Sequence, residues 1–160
     1  MAIKDILLLG DPRLYEVAET VNWEEMKKLQ PKIQLMWDSI LDIRNTYGFG
    51  RAIAAPQIGV QKRIIAIYID KPEVMINPEI LDKSDEMFEM WDDCMSFPNL
   101  LVKVLRHRWI KISYFDLNRN YHEEVLKDDM SELIQHEYDH LDGILATQRA
   151  IDTKSFRWKT

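Results

Sequence analysis

Asp129-Met130-Ser131-Glu132-Leu133-Ile134-Gln135-His136-Glu137-Tyr138-Asp139-His140-Leu141-Asp142-Gly143 is the most informative stretch of the chain, and it reads as one amphipathic helix. It begins after Asp128-Asp129, and Glu132 lies three residues beyond Asp129, as in a capping pair. Met130, Leu133, Ile134 and Leu141 form a core stripe, and Gly143 is placed to stop the helix. Within it, His136-Glu137-Tyr138-Asp139-His140 is an H-E-x-x-H. Histidines four residues apart lie about 40° apart around a helix and ~6 Å along it, so both can reach one metal ion. Glu137 sits beside that face, poorly placed as a ligand and well placed as a general base acting on water.

A catalytic metal needs a third protein ligand and an open position. The zinc-peptidase pattern H-E-x-x-H-x-x-G-x-x-H holds as far as Gly143 and fails at Ala146. No histidine or cysteine follows His140, and Asp142 and Asp152 are the carboxylates there. The third ligand is therefore expected upstream, where Cys94, the single cysteine, is the natural choice. A Cys/His/His set suits Fe, Co, Ni or Zn and would not select Mg or Ca.

Outward from this helix the chain reads as α+β: antiparallel strands around a central metal-binding helix, preceded by an N-terminal helix. Asn22 and Glu25 form a capping-box-like pair. Met26, Leu29, Ile33, Met36, Trp37, Ile40 and Leu41 follow at helical spacing. Pro31 predicts a break, with a short turn and then a helix from Pro31 to about Tyr47, ended by Gly48 and Gly50. Strands are expected at Ile64–Ile69, at Val74–Pro78 (closed by its proline), at Trp109–Phe115 and near Glu123–Leu126. In Trp109–Phe115, Ile110, Ile112 and Tyr114 alternate with Lys111 and Ser113, as in a half-buried antiparallel strand.

At 160 residues the chain is long enough for one domain, 1–160, with a sizeable core. Lys+Arg of 21 against Asp+Glu of 27 gives a net charge of −6, which argues against a nucleic-acid binder working by bulk charge. One cysteine excludes an intramolecular disulfide framework and fits a reducing compartment. The apolar run Ile6–Leu9 is shorter than a signal-peptide core and far short of a membrane span. A soluble, cytoplasmic protein is expected.

Three stretches carry a family resemblance. Asp92-Asp93-Cys94-Met95-Ser96 resembles the E-G-C-L-S motif of peptide deformylases, and Gln135–Gly143 resembles their Q-H-E-x-D-H-L-x-G. Gly50-Arg51-Ala52-Ile53-Ala54-Ala55-Pro56-Gln57-Ile58-Gly59 is similar to their G-x-G-L-A-A-P-Q-I-G. The motifs stand in the family's order, and fainter similarity covers nearly the whole chain. The resemblance implies a metal-dependent hydrolase that removes the formyl group from N-formylmethionine of nascent polypeptides, releasing formate. It implies Cys94, His136 and His140 as ligands of one divalent ion, Fe(II) favoured, with Zn, Ni or Co as alternatives. Glu137 would handle the proton, while Gln57 and the backbone N–H of Met95 would face the developing oxyanion. The substrate would lie extended near Gly50, Ala52 and Asp93, with Trp91 close enough to line the site and an apolar pocket taking the first methionine. Transient contact with the ribosome follows, with no nucleic-acid specificity and no membrane.

Departures are Asp92 for Glu, Asp93 and Ala52 each opposite, respectively, Gly and Gly, and Met95 for Leu. Asp93 adds a charge where the family has bare backbone, and Arg51 across the cleft is its expected partner. Those departures keep open a deformylase-like paralogue with altered substrate or low activity. A non-catalytic metal-binding module is a further alternative, opposed by Glu137, for which a purely structural site has no use.

Overall fold

The computed structural model describes residues 2–159, so the ends of the expected 1–160 domain, Met1 and Thr160, lie outside it. Asn22 forms its capping box as expected: its side chain accepts from Glu24 N–H, and Glu25 Oε2 accepts from Asn22 N–H. The box starts a 3-10 turn, Trp23–Glu25, that runs straight into helix α1, Met26–Tyr47. The predicted break at Pro31 does not occur, because the proline lies inside an unbroken helix. An interior proline costs roughly 3 kcal/mol. Here it sits near the N-terminal end, and buried Met26 and Leu29 before it continue the stripe of Ile33, Met36, Ile40 and Ile43 after it. Burial of two such side chains at about 1.5–3 kcal/mol each offsets the loss. Gly48 ends the helix in the left-handed conformation, φ 78°.

Five antiparallel strands follow one another across the larger sheet in the order β1 (Ala52–Ala54), β2 (Ile64–Tyr68), β3 (Pro72–Lys83), β6 (Trp109–Phe115) and β7 (Tyr121–Lys127). Strand β2 is apolar throughout because both its faces are covered. Ile64 and Ala66 pack with α1, while Ile65 and Ile67 pack with Leu133, Ile134 and Leu141 of helix α2 (Asp128–Leu141). Strand β6 alternates as read over Ile110, Lys111 and Ile112, with both isoleucines in the core, whereas Ser113, expected on the outer face, is buried and Tyr114 is half-buried. Pro78 does not close β3, which runs on to Lys83. The proline sits where the register with β6 slips between Ile76 and Glu79, a bulge at which a missing N–H costs no ladder bond. Asn77, at φ 50°, turns its amide to bond both the N–H and C=O of Val21.

Strands β4 (Met87–Asp92), β5 (Leu100–His107) and β8 (Phe156–Trp158) make a second antiparallel sheet in the order β4-β5-β8, which the sequence reading did not anticipate. Val102 and Val104 of β5 pack with Leu14, Cys94, Phe97 and Leu145. Helix α2 starts at Asp128, slightly earlier than expected, with no side-chain cap. Its first turn holds Asp128 and Asp129, favourable at the positive end of the helix dipole. Glu132 makes no cap; it is buried and turned toward Arg51. At the other end Gly143, φ 73°, is obligatory, because a Cβ there would lie 2.4 Å from the Tyr15 carbonyl oxygen.

Candidate metal centre

Strand β4 delivers Asp92 and then releases the chain into the turn that holds Cys94, while α2 presents His136 and His140 one turn apart. All three candidate ligands are buried, and their ligating atoms lie within 4.8 Å of one another. Cys94 Sγ is 3.4 Å from His140 Nε2. His136 Nδ1 bonds Asp92 Oδ2 at 3.0 Å, which leaves its Nε2 for the centre. A bond to the far ring nitrogen of this kind fixes both tautomer and ring orientation in metal sites. One thiol and two imidazoles converging in a buried space, with the His136 ring oriented this way, fit a divalent transition metal.

The electrostatics divide the two histidines. Burial disfavours the charged form of each; at His136, Cys94 and Asp92 outweigh this and hold the pKa well above the ordinary value. At His140 burial acts together with His136 and Arg106 and drives the pKa well down, so its imidazole stays neutral, as a ligand must. Burial also pushes Glu137 up to about 8, with Glu132, Asp92 and Asp93 adding to it against the pull of His136. One Glu137 oxygen, Oε1, is buried without a hydrogen-bond partner. Asp92 behaves oppositely: His136 and Arg106 overcome its burial and hold it at about 2.

Glu137 and His136 line a cavity of about 280 Å³ together with Gln57, Cys94, Met95, Gly50, Ala52 and Asp93. Gln57 follows β1 in a 3-10 turn. Its Oε1 accepts from Ala54 N–H, so its Nε2 is turned toward Ser96 Oγ at 3.1 Å and Cys94 Sγ at 3.4 Å. At Gly50 (φ 124°) a side chain would be strained by the backbone conformation, and its Cβ would press on Met95 and Ile43. Strand β1 is an edge strand. Tyr68 N–H donates to Arg51 C=O in the β1–β2 register, so the N–H and C=O of Ala52, one residue on, face the open edge.

Two expectations are corrected. Trp91 is not among the residues lining the cavity. Successive strand residues face opposite ways, and with Asp92 turned inward, Trp91 lies under Arg157 (4.4 Å) and Lys103 (5.7 Å) instead. Asp93 does not pair with Arg51. Its partner is Lys159 at 3.3 Å, brought over from the end of β8, while Arg51 pairs with Glu132 at 3.5 Å. Lys159 also lies 3.5 Å from the centroid of the Phe49 ring, at the cavity's other wall. His107 and His122, given no chemistry from sequence, bond Ser84 C=O and Asp116.

Several residues at the site went unread. Arg106 bridges Asp92 Oδ2 (2.6 Å) and Asp139 Oδ2 (2.8 Å), and Arg149 holds Asp139 from the outer side at 2.6 and 3.0 Å. The signal was present: Val102, Val104 and Arg106 share one face of β5, and a cation on an apolar stripe needs buried anions. Glu132, on the helix face of His136 one turn earlier, is the other.

The model of the polypeptide deformylase family matches residues 3–156. Peptide deformylase of Pseudothermotoga lettingae is 37% identical over 143 residues, 89% of this chain and 80% of that protein. The Natranaerobius thermophilus peptide deformylase is 36% identical, covering 94% of each chain. Among solved structures, the Thermotoga maritima peptide deformylase superposes with a TM-score of 0.83 at 32% identity, covering 92% of this chain and 97% of that one. A Synechococcus elongatus peptide deformylase in complex with actinonin gives 0.84 at 30% identity, covering 92% and 79%.

Proposed function

The chain belongs to the polypeptide deformylase family, and on that premise we propose that Cys94, His136 and His140 form the metal centre of an enzyme that removes the formyl group from N-formylmethionine of nascent polypeptides. The activity is metal-dependent, as the family is, and Fe(II) is the proposed native ion, ahead of Zn, Ni or Co. The observation carrying this reading is the convergence of a buried Cys/His/His set, two of whose members, Cys94 and His136, line one cavity with the buried carboxylate Glu137. When bound, the metal lowers the pKa of water and polarises the formyl oxygen.

This chain's own residues do the rest. Glu137 accepts a proton from the attacking water and delivers it to the departing amine. The raised pKa of its carboxyl suits a group that must both take and give a proton near neutral pH. Gln57, whose Oε1 is anchored on Ala54 N–H, turns one Nε2 hydrogen from Cys94 Sγ to the developing oxyanion, and Met95 adds its backbone N–H. The peptide lies along the open edge of β1, pairing with Ala52, while Gly50 keeps the approach clear and Asp93 forms the opposite rim. One domain carries the whole activity. Among the described residues no helix is long and apolar enough to cross a membrane. A cytoplasmic location and transient contact with the ribosome belong to the same proposal.

The test is formate release from a formyl-Met peptide by anaerobically prepared protein, with metal measured on the same sample. Turnover in step with iron content supports the reading; its absence in fully loaded protein overturns it. Equal activity after aerobic handling of iron-loaded protein would remove Fe(II) as the native ion.

The Lys159–Asp93 pair gives a smaller expectation. Asp93 places negative charge beside the oxyanion donors, and Lys159 offsets it. Lys159→Met should lower kcat/KM about threefold, roughly 0.7 kcal/mol, as for a partly exposed pair. Asp93→Gly in that background should restore it, and a double-mutant cycle with no coupling would refute the pairing.

A further inference from the structure

One buried carboxyl on the cavity wall touches neither the ligands nor the proton path directly. Glu132 is 7% exposed and lines the same space as Gln57, Met95 and Glu137. Its ion-pair partner is Arg51 at 3.5 Å, and the Arg51 side chain is 40% exposed. The carboxylate is therefore the fixed, deep group, and the guanidinium is the outer group, free to swing into water. Glu132 precedes His136 by one helical turn, ~6 Å along α2 on the same face. That wall bounds the space left beside the centre for the residue that carries the formyl group. Leu133 and Ala52 supply some apolar wall, yet the group at that reach is a carboxylate. The cavity wall where the family resemblance implies an apolar pocket thus carries an acceptor beside Phe49, Met95, Leu133 and Ala52.

We propose that Glu132 reads the first side chain and opens the site to N-formyl peptides whose first side chain ends in a cation or an N–H donor, a class that an apolar pocket rejects. The proposal rests on the deformylase reading above. Arg51 yields its place on the carboxylate to the incoming group. A methionine side chain leaves the Glu132–Arg51 pair in place and puts its apolar end against a charged wall.

Steady-state formate release by metal-loaded protein would be measured with formyl-Met-Ala-Ser and formyl-Lys-Ala-Ser for wild type, Glu132→Gln and Glu132→Leu. Wild type should use the lysine peptide within about threefold of the methionine peptide. Glu132→Leu should lower kcat/KM for the lysine peptide at least tenfold, chiefly through KM, and raise it several-fold for the methionine peptide. Glu132→Gln, which keeps shape and an acceptor, should fall between. A structural role would move both peptides together. Equal factors on both peptides in both variants, or a wild type favouring methionine by more than 100-fold, would overturn the proposal. Formate from neither peptide with wild type would instead overturn the deformylase reading, and this proposal with it.

Discussion

Glu137→Gln should abolish turnover, by at least ~10²-fold, while leaving the metal bound. The amide keeps the shape of the carboxylate but can neither accept the proton of the attacking water nor return it to the amine. Glu137 lies outside the three-ligand cluster, so nothing that holds the ion is removed. Cys94→Ala should do the reverse: the metal is lost, and activity falls with it, because two imidazoles hold an ion poorly without the thiolate. Metal content of the two purified variants, measured beside formate release, separates the roles. Loss of metal from Glu137→Gln in proportion to activity would make Glu137 a ligand. The same substitution carries a stability signature in metal-free protein. Glu137 is held at about 8, above its ordinary 4.5, so its neutral form is the one the fold favours. That contribution is complete below pH 4.5 and is lost as pH rises through about 8. The glutamine variant, always neutral, should lack this alkaline decline in thermal unfolding.

The parts of the molecule legible in sequence are those where one local signal dominates. Alternation at Ile110 and Ile112, the capping box at Asn22, and the H-E-x-x-H spacing each specify a structure over a few residues, and the fold follows them. The two prolines misled for different reasons. Pro78 sits at a bulge, where a missing N–H costs no ladder bond, whereas the loss at Pro31 inside α1 is offset by burial of Met26 and Leu29 on the stripe that continues past it. The β4-β5-β8 sheet went unread because its strands are largely half-exposed and β8 has three residues. Trp91 failed through adjacency: standing three residues from Cys94 placed it near the motif, whereas strand parity turned it away. Arg106 was passed over, and Glu132 was read only as a cap, because charged residues are usually solvated. Their burial depends on partners distant in sequence, Asp92 and Asp139 for the one and Arg51 for the other.

Arg106→Leu should be the most destabilising change behind the metal centre. Arg106 is 2% exposed and serves two buried carboxylates at once, Asp92 and Asp139. Asp139 would keep Arg149, but Asp92 would keep only His136. Breaking a buried pair from one side costs about 3–5 kcal/mol, because the remaining charge is stranded. For a chain of this size that is a fall in Tm of roughly 10 °C. The damage should extend to the ion: with Asp92 free to turn, the His136 ring loses its orienting bond, and metal affinity should fall about 10–100-fold. Arg106→Lys would preserve the charge, yet a single ammonium cannot fork between two carboxylates, so it should recover part of the stability and less of the affinity. The pH dependence fixes the cause. Asp92 is held at about 2, below its ordinary 3.8, so its stabilisation is present above pH 3.8 and lost as pH falls through 2. The deficit of the leucine variant should therefore be largest near neutrality and shrink over that acid range, where a protonated Asp92 no longer needs Arg106. A deficit that does not change with pH would locate the damage in packing instead, and an unchanged metal affinity would separate Arg106 from the centre altogether.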